Sequence, residues 1–169
     1  MRALRYARSG AYAACATVAL LLAYLSREQF LVWQKNEITK YLLPPYHSIG
    51  YFFGYVGGRL WAPYAFSAIA AAAAYCVAVR INRKRGGVFF ETEEPQYLAI
   101  GIFMTGHPGW VAYIVVTLGA YLAVSTVRFA LFRQQERISF YRFWLPCAAA
   151  TVALETVLTR YDWYASLFF

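Results

Sequence analysis

Long apolar stretches that end at clusters of basic residues constrain the fold of this chain more than any other feature. One stretch runs from residue 62 to 79 and stops at three arginines and a lysine within residues 80–85. Such a length is enough to cross the hydrocarbon core as a helix, whose backbone hydrogen bonds are all satisfied internally. The sequence therefore predicts an all-α, polytopic membrane protein, with a single integral membrane domain over residues 1–169.

Composition agrees with a chain that is mostly surrounded by lipid. Hydrophobic residues make up 61% of the sequence and charged residues 14%, against roughly 25% charged in a soluble domain. The net charge of +8 follows from bases at the ends of apolar runs, which anionic lipid and membrane topology favour. The predicted partner is therefore the lipid bilayer and not nucleic acid. No motif for a cofactor or a metal ion is present.

The length allows about four membrane segments. Ala11–Leu25 follows three arginines and is predicted to be an uncleaved first span with its N-terminus in the cytoplasm. Residues 62–79 and Phe140–Leu158 are predicted to be two further spans. A shorter segment, residues 46–60, precedes the span at residues 62–79. Trp61-Ala62-Pro63 is expected to break the helix between this segment and that span.

A fourth membrane element is expected at residues 97–127, where Gly106-His107-Pro108-Gly109 interrupts an apolar run. This region is either one long helix kinked at Pro108 or a helical hairpin. Basic residues flank it on both sides, at 80–85 and from Arg128 onward. A hairpin keeps both clusters on the cytoplasmic side, as the positive-inside tendency favours. We therefore expect the hairpin.

Three carboxylates precede this region, at Glu91, Glu93 and Glu94, and Pro95 follows them. Acidic residues and proline are both favoured in the first turn of a helix, so one interpretation is a capped helix start at the membrane surface. The other interpretation is general acid–base chemistry, because crowded carboxylates cannot all ionise easily and one pKa rises.

Glu37 and Glu93 stand in contexts that resemble the two catalytic elements of prepilin and preflagellin peptidases, which are intramembrane proteases. Glu37 precedes a Leu-Pro pair at residues 43–44, and Glu93 precedes a short apolar stretch that ends in the glycine-proline turn. The resemblance covers roughly residues 36–127. It implies general acid–base catalysis by Glu37 and Glu93, at positions where that family has aspartates.

Three glycines at four-residue spacing, Gly50, Gly54 and Gly58, share one face of the predicted helix within residues 46–60. In lipid, such a face permits close helix–helix packing, because van der Waals contact increases where side chains are absent. The glycine face therefore predicts packing against partner membrane helices, either of other subunits or of a second copy.

Two further residues are candidates for a polar site within the membrane. Glu155 lies in the last apolar run, and burying an unpaired carboxylate there costs at least ~2.5 kcal/mol. It is either protonated, bonded to Thr151 one turn earlier, or hydrated near Arg160. His107 lies in the glycine-proline turn, where we expect a hydrogen bond to the local backbone.

Three functions remain open from the sequence. The leading hypothesis is a non-catalytic assembly or scaffold subunit that packs through Gly50, Gly54 and Gly58. The alternative is a divergent intramembrane peptidase that uses Glu37 and Glu93. A third hypothesis is a small lipid- or ion-handling protein.

Overall fold

The predicted all-α membrane class is confirmed. The computed structural model describes residues 2–88, 90–132 and 140–161, and every regular element among them is helical. Three helices are long and apolar enough to cross a membrane, and a fourth apolar helix is shorter. The chain is therefore an integral membrane protein of the multi-span helical type. Its helices are α1 (Arg2–Lys35), α2 (Ile49–Val56), α3 (Ala62–Lys84), α4 (Glu94–Thr105), α5 (Gly109–Phe132) and α6 (Tyr141–Leu158), with a 3-10 turn at Thr39–Leu42.

The break expected at Trp61-Ala62-Pro63 does not occur, and that prediction was wrong. A π-helical turn at Gly57–Trp61 joins α2 to α3, so that Ile49–Lys84 forms one helix of 36 residues. A proline ring normally clashes with the carbonyl four residues earlier and has no N–H to donate to it. The wider turn just before Pro63 relieves that conflict, because its hydrogen bonds reach one residue further. Residues 46–60 therefore contribute to the start of a long helix.

The connection from α3 to α4 is fixed by two glycines and by Asn82. Gly86 and Gly87 have φ angles of 67° and 78°, which glycine adopts at little cost and which commonly end a helix. The Asn82 side chain then holds Phe90 from both sides. Its Nδ2 donates to the Phe90 carbonyl at 3.0 Å, and its Oδ1 accepts from the Phe90 N–H at 2.9 Å. As a result, α4 begins beside the last turns of α3 and packs back along it.

The central element of the bundle is α4, although it has only 12 residues. It contacts α1, α3, α5 and α6. From α3, the Ser67 hydroxyl donates to the carbonyl of Ile102, and both residues are buried. From α5, the ring of Tyr113 lies against Gly101, where an added Cβ would overlap it. A glycine on α4 thus lets a large aromatic side chain of α5 approach its backbone.

A short turn separates α4 from α5. Gly106 has a φ angle of 65°, and the peptide bond between His107 and Pro108 is cis. The N–H of Trp110 donates to the Gly106 carbonyl at 2.9 Å. Gly101 of α4 and Tyr113 of α5 are in contact across this turn.

Two separate hydrophobic clusters divide the bundle along its length. The larger one surrounds α4 and includes Tyr113 and Trp144. The smaller one lies where α1, the 3-10 turn and α2 meet, with Trp33 and Phe52 at 5.4 Å between ring centroids. No residue of α4, α5 or α6 belongs to this smaller cluster as described. Residues 27–56 therefore extend past the rest of the bundle, and we call them the projecting end.

Candidate functional site

Glu94 is the most deeply buried carboxylate that the structure describes, with 0% of its surface exposed. Its Oε2 accepts from the N–H of Glu91 at 3.0 Å, and its Oε1 accepts from the N–H of Tyr141 at 3.0 Å. These two donors belong to the segment that opens α4 and to the first residue of α6. One carboxylate therefore satisfies backbone donors at the N-terminal ends of two helices, where negative charge is favoured.

This arrangement supports the capped-helix interpretation of the acidic cluster. The N–H of Glu94 donates to the Glu91 carbonyl at 3.2 Å, while the Glu94 side chain reaches back to the Glu91 N–H. This pair matches only one half of a capping box, because the glutamate side chain reaches back to the N–H three residues earlier, while the backbone carbonyl of Glu91 takes the place of a capping side chain. Sequence reasoning singled out Glu93 and missed the special role of Glu94. The available signal was the three-residue spacing from Glu91, but the contact with Tyr141 spans 47 residues and leaves no trace in local sequence.

Glu91 and Glu93 lie closer to the protein surface than the buried Glu94 carboxylate does. Glu91 is exposed and Glu93 is half-buried. Together with Asn82 and Tyr141 they line an open polar crevice of about 580 Å³. Water reaches these carboxylates, so they do not share the buried environment of Glu94.

Glu37 and Glu93 are not brought together. The Trp61 indole N–H donates to the Ser26 hydroxyl at 3.2 Å, which places these two residues at one level of the bundle. Glu37 is 11 residues beyond Ser26, in the projecting end, whereas Asn82 at the entrance to α4 is 21 residues from Trp61 in the opposite direction. At a 1.5 Å rise per residue, these offsets add up to roughly 48 Å along the helices, so the two carboxylates lie far apart. Shared proton transfer would require direct or single-water contact between them.

A second group of polar side chains surrounds a cavity of about 160 Å³ at the turn between α4 and α5. Its polar walls come from four different parts of the fold, so the cluster exists only once the bundle has formed. Leucines of α1 close the rest of the cavity. The polar residues are Arg59, Tyr64, Thr105, His107 and Glu155.

The structure thus places the two predicted intramembrane residues, Glu155 and His107, at one cavity. The Glu155 carboxylate lies beside Gly109, where an added Cβ would be 3.4 Å from Oε1. The His107 Nδ1 accepts from the indole N–H of Trp110 at 3.2 Å, so a side-chain bond joins His107 to the first turn of α5. Thr151, considered as a partner of Glu155, donates its hydroxyl to the Cys147 carbonyl at 2.8 Å.

The glycine face of α2 is open. All three glycines are exposed. A Cβ added at Gly54 or Gly58 would meet no described atom within 4 Å, and at Gly50 it would meet only the Ser48 hydroxyl at 3.8 Å. Among the residues that the structure describes, these glycines therefore make no close helix–helix contact.

Within residues 2–88, 90–132 and 140–161, no group of three histidine, cysteine or acidic side chains could hold a metal ion. No protein-family model, no curated protein and no solved structure matches this chain. Its function is therefore inferred from its own residues and their arrangement.

Proposed function

We propose that this chain is a non-catalytic assembly subunit of the membrane whose projecting end binds a partner membrane protein. The observation that carries this proposal is the outward-facing glycine face at Gly50, Gly54 and Gly58. A glycine in a helix loses more backbone conformational entropy on folding than other residues do, and it has no side chain to pack. A row of three on an open face is useful where another backbone approaches closely.

Aromatic side chains on the same short helix support a protein partner. Tyr51, Phe53 and Tyr55 are 50%, 64% and 41% exposed, while Phe52 and Val56 on the inner side are buried. Tyrosine and phenylalanine are enriched in protein–protein interfaces relative to the remaining surface. The inner residues fix the helix against α1, and the outer residues stay available to a partner.

The position of charged residues supports a topology for this proposal. Arg80–Arg85 and Arg128 lie at the same end of the bundle as the N-terminus of α1, because α3 and α5 both run toward it. We propose that this end is cytoplasmic and that α4 and α5 form a hairpin returning to it. Arg133 and Arg137, which contributed to the sequence prediction, lie outside the described residues. The projecting end then lies toward the opposite face of the membrane.

Photo-crosslinking in native membranes tests the proposed interface. A benzophenone amino acid at Phe53 should capture a discrete partner protein, because the Phe53 side chain is exposed on the outer face of α2. The matched control is the same amino acid at Val115, which is 66% exposed on α5 outside the proposed interface. A partner captured at Phe53 and not at Val115 supports the proposal, and mass spectrometry of the adduct distinguishes another subunit from a second copy.

A second experiment separates loss of the partner from loss of the fold. Gly54→Leu fills the open glycine face, and Gly119→Leu adds the same side chain on α5, where an added Cβ also meets no described atom within 4 Å. Copurification of the partner should fail for Gly54→Leu and persist for Gly119→Leu. Equal recovery with both variants, or a stable partnerless monomer from native membranes, would overturn the assembly role.

A further inference from the structure

The polar cavity beside the α4–α5 turn continues into an apolar groove along α1. Leu22 and Tyr64 line both the polar cavity and an adjacent chamber of about 430 Å³. Cys15, Ala68 and Phe103 line both that chamber and a third one of about 320 Å³. The three spaces are therefore consecutive, with a polar end at Glu155 and an apolar remainder.

Small side chains create this groove. Ala14 and Cys15 of α1 face Ala68 and Ala71 of α3 across it, so the two helices leave a gap that larger residues would fill. From Ala11 to Leu25 the wall formed by α1 spans 14 residues, or about 21 Å. One leaflet of a bilayer core is about 15 Å thick, so the groove can hold the length of an acyl chain.

The polar end carries both signs of charge. Arg59 contributes a guanidinium with five donors, which suits a phosphate. Glu155 contributes a carboxylate, which suits an ammonium group. Tyr64, Thr105 and His107 complete the polar part of the wall. A headgroup that joins an anionic phosphate to a primary amine complements this set better than a headgroup with negative charge alone.

We propose that the groove binds a phosphoethanolamine lipid, with its headgroup at Arg59 and Glu155 and one acyl chain along α1. This site is distinct from the glycine face, and binding there does not require a protein partner. The apolar chambers exclude water from the chain, and the polar cavity selects the headgroup. The lipid fills the gap that alanines leave between α1 and α3.

Two native cysteines provide a reporter for this site. Cys15 and Cys76 are both exposed, but Cys15 lines two chambers of the groove, whereas Cys76 of α3 lines none of the three chambers described above. The full chain is placed in nanodiscs of phosphatidylglycerol alone or mixed with phosphatidylethanolamine. The alkylation rate of each cysteine by N-ethylmaleimide is then followed by mass spectrometry. The ethanolamine lipid should slow modification of Cys15 and leave Cys76 unchanged.

Two headgroup variants and one groove variant make the test specific. Arg59→Gln and Glu155→Gln each remove one charge-assisted contact. Each should raise by about tenfold the concentration of phosphatidylethanolamine that is needed to protect Cys15 from alkylation. Ala19 of α1 lines the middle chamber, so Ala19→Leu narrows the groove and should abolish the difference between the two lipids, with size-exclusion chromatography confirming a folded chain. Equal rates for Cys15 in both lipids, or undiminished protection in Arg59→Gln, would overturn the proposal.

Discussion

Gly101→Ala directly perturbs the contact that pairs α4 with α5. The ring of Tyr113 occupies the space that the new methyl group would enter, and Tyr113 has 0% of its surface exposed. Its Cε1 atom would be 2.9 Å from the added carbon, and its Cζ atom and hydroxyl oxygen would be closer still. Because Tyr113 belongs to the core cluster with Trp144 and Cys147, it cannot swing away without disturbing α6.

The expected magnitude follows from two opposing contributions. Replacing a helical glycine by alanine favours the helix by about 0.5–1 kcal/mol. Overpacking a filled core costs about 1–3 kcal/mol. Gly119→Ala on α5 receives the first contribution without the second, because no described atom lies within 4 Å of the added Cβ. We therefore expect Gly101→Ala to be less stable than Gly119→Ala by about 1–3 kcal/mol.

Steric trapping or reversible denaturation in mixed micelles measures the free energy of unfolding for each variant. A double-mutant cycle with Tyr113→Phe removes the hydroxyl oxygen nearest to the new methyl group, so part of the loss from Gly101→Ala should be recovered. Contacting pairs typically show coupling of about 0.5–3 kcal/mol. If Gly101→Ala matches Gly119→Ala and shows no coupling to Tyr113, the packing of α5 on α4 is not as described.

Three other side chains should matter for stability in the same unfolding measurement. Glu94→Ala leaves two backbone N–H groups without their acceptor and should cost about 2–5 kcal/mol, whereas Glu93→Ala on the half-buried neighbour should stay within about 0.5 kcal/mol. Equal effects of these two substitutions would contradict the capping role. Ser67→Ala removes one buried hydrogen bond between α3 and α4 and should cost about 0.5–1.5 kcal/mol. Asn82→Ala removes both bonds that hold the start of α4, so protease cleavage within residues 85–93 should accelerate; an unchanged cleavage rate would show that these bonds do not fix the loop.

Much of the architecture follows from local sequence. The apolar runs, the end of α3 at Gly86 and Gly87, and the start of α4 near Pro95 depend on helix periodicity, on glycine conformation and on helix-end preferences. These are properties of short segments, and the structure agrees with each of them. The helix through Pro63 was missed because the π-helical turn that accommodates it depends on flexible backbone geometry, which residue preferences do not encode.

The candidate site was only partly predictable, because its contacts join distant residues. His107 and Glu155 were identified singly, as polar residues in apolar surroundings, and the structure brings both to one cavity with Arg59. That meeting depends on how α3 and α6 pack against the α4–α5 turn. The sequence interpretation chose Glu93 and not Glu94, because the hydrogen bond from the Tyr141 N–H to the Glu94 carboxylate cannot be predicted from neighbouring positions.

The separation of Glu37 from the acidic cluster distinguishes an assembly subunit from a paired-carboxylate peptidase most directly. Spin labels at Asn36→Cys and Glu91→Cys, in a chain without its native cysteines, occupy exposed positions beside the two candidate carboxylates. Pulsed electron–electron double resonance should give a distance of roughly 45–50 Å, as the helical offsets require. A narrow distribution below about 20 Å would leave room for the direct or single-water contact that a shared proton needs, and it would contradict the fold and the non-catalytic role together.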